Sequence, residues 1–195
     1  MPLWNLTPGT MEGALDFAFA MLIPVVLMAT QRRQPAELDA LFAQLRASKD
    51  AVAARSIIER IWECWIHHDD PGIRALMDRG LRDIEQRRYD QALKTFDEVL
   101  ERDPNFAEAW NKRATVRYLV GHYAGSVRDI KRVLALEPRH FGALSGLGTI
   151  YLIIANDRGA LDAFEAVLAL NPHLDGVRRQ VEALREALGG GAPEA

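Results

Sequence analysis

A chain of 195 residues that is 49% hydrophobic and 26% charged can bury a core and is long enough for one or two small domains. Its formal net charge of −3 offers no basic field to nucleic acid. The single cysteine, Cys64, excludes an internal disulfide, and between Trp62 and Trp65 it reads as a small packed hydrophobe.

Residues 1–30 differ in kind from the rest. From Phe17 to Ala29 the run FAFAMLIPVVLMA carries no charge. At about 13 residues it suits the apolar region of a signal peptide better than a membrane span, which needs about 20. Leu27-Met-Ala29 offers a weak cleavage site, whereas Glu12, Asp16 and the lack of Lys or Arg before Arg32 depart from the basic front of a secretory leader. Three readings are open. A cleaved signal peptide places the chain in a bacterial periplasm or cell envelope; an uncleaved N-terminal anchor followed by Arg32 and Arg33 keeps the remainder in the cytoplasm; an apolar packing segment makes the whole chain cytoplasmic. Contact with a membrane is expected only through this segment.

Residues 31–72 are expected to form a helical hairpin. Leu38, Leu41, Phe42 and Leu45 follow helical spacing after Pro35-Ala-Glu37, and Ile57, Ile58, Ile61, Trp62 and Trp65 do so after Asp50. Asp69-Asp-Pro-Gly72 stops the pair, so it reads as a degenerate repeat or a cap over the apolar end of a helical stack.

From residue 73 the chain repeats. Pro104, Pro138 and Pro172 each end a helical pattern and lie 34 residues apart, which divides the chain into 73–106, 107–140 and 141–174 without gaps. Small residues recur in register at Gly80, Ala114 and Gly148 in the first helix of each block, and at Ala92, Ser126 and Ala160 in the second. Their size lets paired helices approach while larger residues fill the remaining space. Beyond the third block, Leu174, Val177, Val181, Leu184 and Leu188 form the apolar stripe of a closing helix over 175–188. Gly189-Gly-Gly191 stops it, and 189–195 reads as a disordered tail.

These three blocks resemble the tetratricopeptide repeat, or TPR, which asks for a bulky residue, a small residue and an aromatic in helix A, then a small residue, a Phe and an exit Pro in helix B. Asp83, Arg117 and Ile130 depart from that pattern, and so does the turn Ala155-Asn-Asp157. The resemblance implies an all-α fold: a right-handed α-solenoid of three helix hairpins, flanked by the N-terminal hairpin and a C-terminal capping helix. Ile61-Trp-Glu-Cys-Trp65, Trp110-Asn-Lys-Arg-Ala-Thr115 and Leu136-Glu-Pro-Arg-His-Phe-Gly-Ala-Leu144 further resemble small secreted TPR proteins of alphaproteobacteria.

The family's A helices line a concave face, and the repeat phase places nine residues of this chain there: Met77, Leu81, Ile84, Asn111, Thr115, Tyr118, Ser145, Thr149 and Leu152. That face is almost uncharged. Met77 and Leu81 stand where relatives that hold a C-terminal carboxylate need charge or amide, so an extended or helical peptide with apolar anchors is the expected ligand. Gly142, Ser145, Gly146, Gly148 and Thr149 are expected to leave a depression beside Tyr118. The competing reading is that the chain's own flanking helices fill the groove.

Chemistry has little footing. His67-His-Asp-Asp70 gathers four metal-ligand types, but chain neighbours rarely converge on one ion. Gly142-Ala-Leu-Ser-Gly146-Leu-Gly148 follows no strand, so its glycines read as packing rather than phosphate binding. The expectation is a non-catalytic scaffold or adaptor that binds a protein or peptide, without cofactor or metal. The alternatives are a metal-dependent enzyme using residues 67–70 and a self-associating structural protein of the envelope.

Overall fold

A computed structural model describes residues 35–189. The apolar run, its cleavage or anchoring and the residues after 189 lie outside the described residues. Among those described, every regular element is helical: α1 (Pro35–Ala47), α2 (Ala51–Ile66), α3 (Pro71–Glu85), α4 (Tyr89–Arg102), α5 (Ala107–Leu119), α6 (Tyr123–Leu136), α7 (Phe141–Ile153), α8 (Asp157–Leu170) and α9 (Asp175–Gly189). No described helix is long and apolar enough to cross a membrane.

Helices α3 and α4, α5 and α6, and α7 and α8 form three hairpins, and each packs on the next through α4 against α5 and α6 against α7. Helix α9 closes the array against α8. The hairpins close through a volume exchange. A Cβ on Gly80 would lie 2.6 Å from the Phe96 ring, and one on Gly148 would lie 2.6 Å from Phe164. In the middle hairpin the glycine is Ala114 and the phenylalanine is Ile130, both buried in one cluster. A larger small residue therefore meets a smaller large one, which conserves core volume. Ser126 adds a hydroxyl that donates to the Ala114 carbonyl at 2.8 Å.

The turns repeat as well. Arg87, Gly121 and Ala155, spaced 34 apart, all have positive φ, at 56°, 77° and 55°. Each follows an A helix, and the next N–H reaches back to the helix: Arg88 to Asp83, His122 to Arg117 and Asn156 to Tyr151, at 2.7, 2.7 and 2.8 Å. This is the Schellman ending, which favours glycine at the positive-φ position. At the exits of the B helices, Asp103, Glu137 and Asn171 are extended, as a residue before proline prefers. Their side chains accept from the backbone N–H two residues on, in Asn105, Arg139 and His173.

The departures from the repeat pattern are compensated by charge. Asp83 is buried and takes two hydrogen bonds from Arg88 at 2.8 and 2.5 Å. Arg117 sits 2.6 Å from the buried Asp129, which also receives a forked pair from Arg113 at 2.9 and 2.8 Å. Both charges therefore enter the hairpins already paired.

The N-terminal hairpin is not where an end cap over the first repeat would sit. Helix α2 packs on α5, and α1 packs on α8. The hairpin crosses the row of B-to-A turns. His68, just after α2, is 3.1 Å from Asp103 at the first turn. At the second, Asp39 pairs with Arg139 at 2.6 Å. At the third, the Ser48 carbonyl accepts from His173 at 2.8 Å.

Candidate functional site

The nine residues that the repeat phase assigns to the A helices fall into two environments. Met77 and Ile84 are buried in the core shared by α3, α4 and α5, and Asn111 of α5 is buried as well. Leu81, Thr115, Tyr118, Ser145, Thr149 and Leu152 are partly exposed. The hydroxyls of the Thr and Ser residues are engaged within their own helices. Thr115 donates to the Asn111 carbonyl at 3.0 Å, Ser145 to Phe141 at 2.8 Å and Thr149 to Ser145 at 3.0 Å. Their residual face is therefore less polar than their names suggest. The Tyr118 ring centre rests 6.0 Å from that of Tyr123, and burial pushes its phenol pKa up from the ordinary value.

At the N-terminal ends of α5 and α7 the face is occupied. A Cβ on Gly142 would lie 2.8 Å from the Trp62 ring, so the glycine is a seat for that indole. Of the depression expected beside Tyr118, the Gly142 end is thus filled by α2 of the same chain, and Gly148 is filled from within its own hairpin by Phe164. Trp65 stacks on His140 with centroids 4.1 Å apart and planes 10° apart, and Trp62 meets Phe141 edge-on at 5.4 Å. Phe42 of α1 completes the aromatic group, 6.0 Å from Trp65 and 6.4 Å from Phe141.

Beneath the indoles lies a charged cluster. Glu108 and His140 are 0% exposed and Lys112 is 7% exposed. Glu108 Oε1 is 2.9 Å from Lys112 Nζ, and Oε2 accepts from Asn111 at 3.1 Å. His140 caps α7, its Nδ1 accepting from the Ala143 N–H at 3.1 Å. That bond leaves Nε2 to carry the proton and donate to Glu108 Oε2 at 3.0 Å. Burial pushes the Glu108 carboxyl up, but the Lys112 ammonium and the His140 hydrogen bond outweigh it and bring its pKa down to about 2. The Lys112 ammonium also lies 5.5 Å from the Trp62 ring centre.

Sequence reasoning missed Glu108, Lys112 and His140. The signal was available: Glu108 and Lys112 precede Gly142 and Gly146 by one repeat length and so share their face. An i,i+4 Glu–Lys pair reads as a solvated helix face until something covers it. The residues 67–70 diverge. His67 is 3.3 Å from Asp69, His68 turns to Asp103, and Asp70 caps α3 by accepting from Gly72 and Ile73. Those two backbone hydrogen bonds lower the Asp70 pKa. Among the described residues no set of three His, Cys, Asp or Glu is placed to hold a metal ion.

The tetratricopeptide repeat pattern matches residues 77–119. A TPR repeat-containing protein of Rhizobium etli is 40% identical over 153 residues, covering 78% of this chain and 75% of that protein. The fold is similar to the first TPR of Spaghetti (RPAP3) bound to an HSP90 peptide, with TM-score 0.58 and 22% identity over 64% of this chain and 98% of that one. It is also similar to MamA, with TM-score 0.58 and 15% identity over 84% of this chain and 87% of that one. With the 34-residue period, the glycine–phenylalanine closures and a relative matched over three quarters of its length, the chain belongs to the tetratricopeptide repeat family.

Proposed function

We propose that this protein is a non-catalytic interaction scaffold whose A-helix face receives an apolar segment, extended or helical, of a protein partner. The observation that carries the reading is the strip Leu81, Thr115, Tyr118, Ser145, Thr149 and Leu152. It is partly exposed and uncharged, and its Thr and Ser hydroxyls bond to their own helices. Such a strip suits anchoring by apolar side chains better than capture of a charged terminus. The peptide held by the similar Spaghetti domain supports protein binding as a use of this fold. The proposed setting is a bacterial envelope, which N-terminal sequencing of fractionated native protein tests.

The groove is tested by Tyr118→Glu combined with Leu152→Glu. Both positions are partly exposed, so the helical fold should be kept, read as an unchanged circular dichroism spectrum, while co-purification of the partner disappears. Undiminished partner recovery would count against the groove.

A further inference from the structure

Helix α2 shows what the occupied end of the A-helix face accepts. It is an amphipathic helix that buries Ala54, Ile61, Trp62 and Trp65 and places two indoles three residues apart over α5 and α7. We infer that this seat is a helix-binding site occupied in cis, and that a partner helix with two aromatic anchors one turn apart displaces the α1–α2 hairpin from it. The inference rests on the reading of the A-helix face as a protein-binding surface and names both its occupant and its regulation.

The seat is built for release. Glu108, Lys112 and His140 form its floor, and charged groups hydrate readily once uncovered, whereas an all-apolar floor would resist exposure. The Trp65 indole N–H is buried without a hydrogen-bond partner among the described residues, a cost that undocking removes. Hairpin and stack also meet through peripheral polar contacts that water can replace: Asp39 with Arg139, His68 with Asp103, and the Ser48 carbonyl with His173. The linker from Ile66 to Pro71 is short and keeps the hairpin beside its seat. Tethering of this kind supplies an effective concentration of about millimolar, which a short competing helix cannot easily overcome. The seat lies at the N-terminal ends of α5 and α7, and Tyr118 and Leu152 lie near their C-terminal ends, so a partner helix that continues past the indoles onto those partly exposed residues gains further apolar contacts and can prevail. Specificity then has two parts: the aromatic pair fits the charged seat, and the apolar extension provides the advantage over the resident helix.

The test uses the full chain and a fluorescent synthetic peptide of residues 50–67, which carries both indoles and Asp50, whose carboxylate caps α2 by accepting from the Val52 and Ala53 N–H groups. Trp62→Ala with Trp65→Ala weakens the resident helix and leaves the seat intact. The peptide should bind this variant at least tenfold more tightly than wild type, and adding Lys112→Met should abolish the gain. Equal binding to variant and wild type would overturn the inference. If the double variant loses its helical circular dichroism, Gly142→Leu serves instead, since a side chain there meets Trp62. Its tryptophan emission should shift to the red while helical content is kept, and unshifted emission would overturn the inference. Neither assay uses the natural partner, so failure here with successful groove mutations leaves the scaffold reading standing, and the converse isolates a failure of that reading.

Discussion

The two ends of the A-helix face contrast in a way that hydrophobic burial alone does not explain. The covered end has a charged floor, Glu108, Lys112 and His140, sealed by Trp62 and Trp65. The other end, around Tyr118, Thr149 and Leu152, is uncharged and left partly open. A chain optimised only for stability would cover the apolar end and hydrate the charged one. The arrangement teaches that hairpin and stack are held differently: the hairpin by one aromatic group over a charged floor, with polar contacts at its edge that water can replace, and the stack by close apolar packing repeated in each hairpin.

The largest test of that contrast lies in the stack. Phe164→Ala empties the space against Gly148 and should cost about 3–5 kcal/mol of global stability by urea unfolding, with every helix lost together. Lys112→Met leaves the Glu108 carboxylate without its cation, a loss of about 3 kcal/mol if the seat stays closed. Opening of the hairpin hydrates Glu108, so the effect should appear as exposure of Trp62 and Trp65 by fluorescence while α3 to α9 melt nearly as before.

Acid provides a third test. Glu108 has its pKa lowered from an ordinary 4.5 to about 2 by Lys112 and His140 against the cost of burial. A depressed carboxyl stabilises the closed form fully above the ordinary value, and that contribution is lost as pH falls toward the depressed one. Tryptophan emission should therefore shift to the red between about pH 4.5 and 2, and Glu108→Gln should remove much of that dependence. The smallest effect is in a turn. Ala155 has φ 55°, where Gly121 occupies the equivalent position of the preceding repeat, so Ala155→Gly should stabilise the stack by about 1 kcal/mol, read as a rise in melting temperature.

Much of the stack was legible because each signal occurs three times. Gly80, Ala114 and Gly148 announce close helix approach, and Pro104, Pro138 and Pro172 announce the exits; the compensating exchange of Phe for Ile130 could have been read from the same alignment. The hairpin occurs once. Its apolar stripes revealed two helices but not their seat, because burial by a distant segment leaves no periodic trace. Trp62 reaching Gly142 and His173 reaching the Ser48 carbonyl are long-range pairings of that kind. The charged floor was hidden for a related reason: Glu108 and Lys112 look like an exposed ion pair from their spacing alone. Arg88, beside Asp83, shows the same limit inside the stack, since a buried carboxylate is recognisable only with its partner in view.

The separation of hairpin from stack is tested most directly by amide hydrogen exchange of the full chain, wild type against Trp62→Ala with Trp65→Ala. The expected result is at least tenfold faster exchange across α1 and α2 in the variant, with protection of α4 to α8 unchanged. Uniform acceleration through all helices, or no acceleration anywhere, would contradict the account.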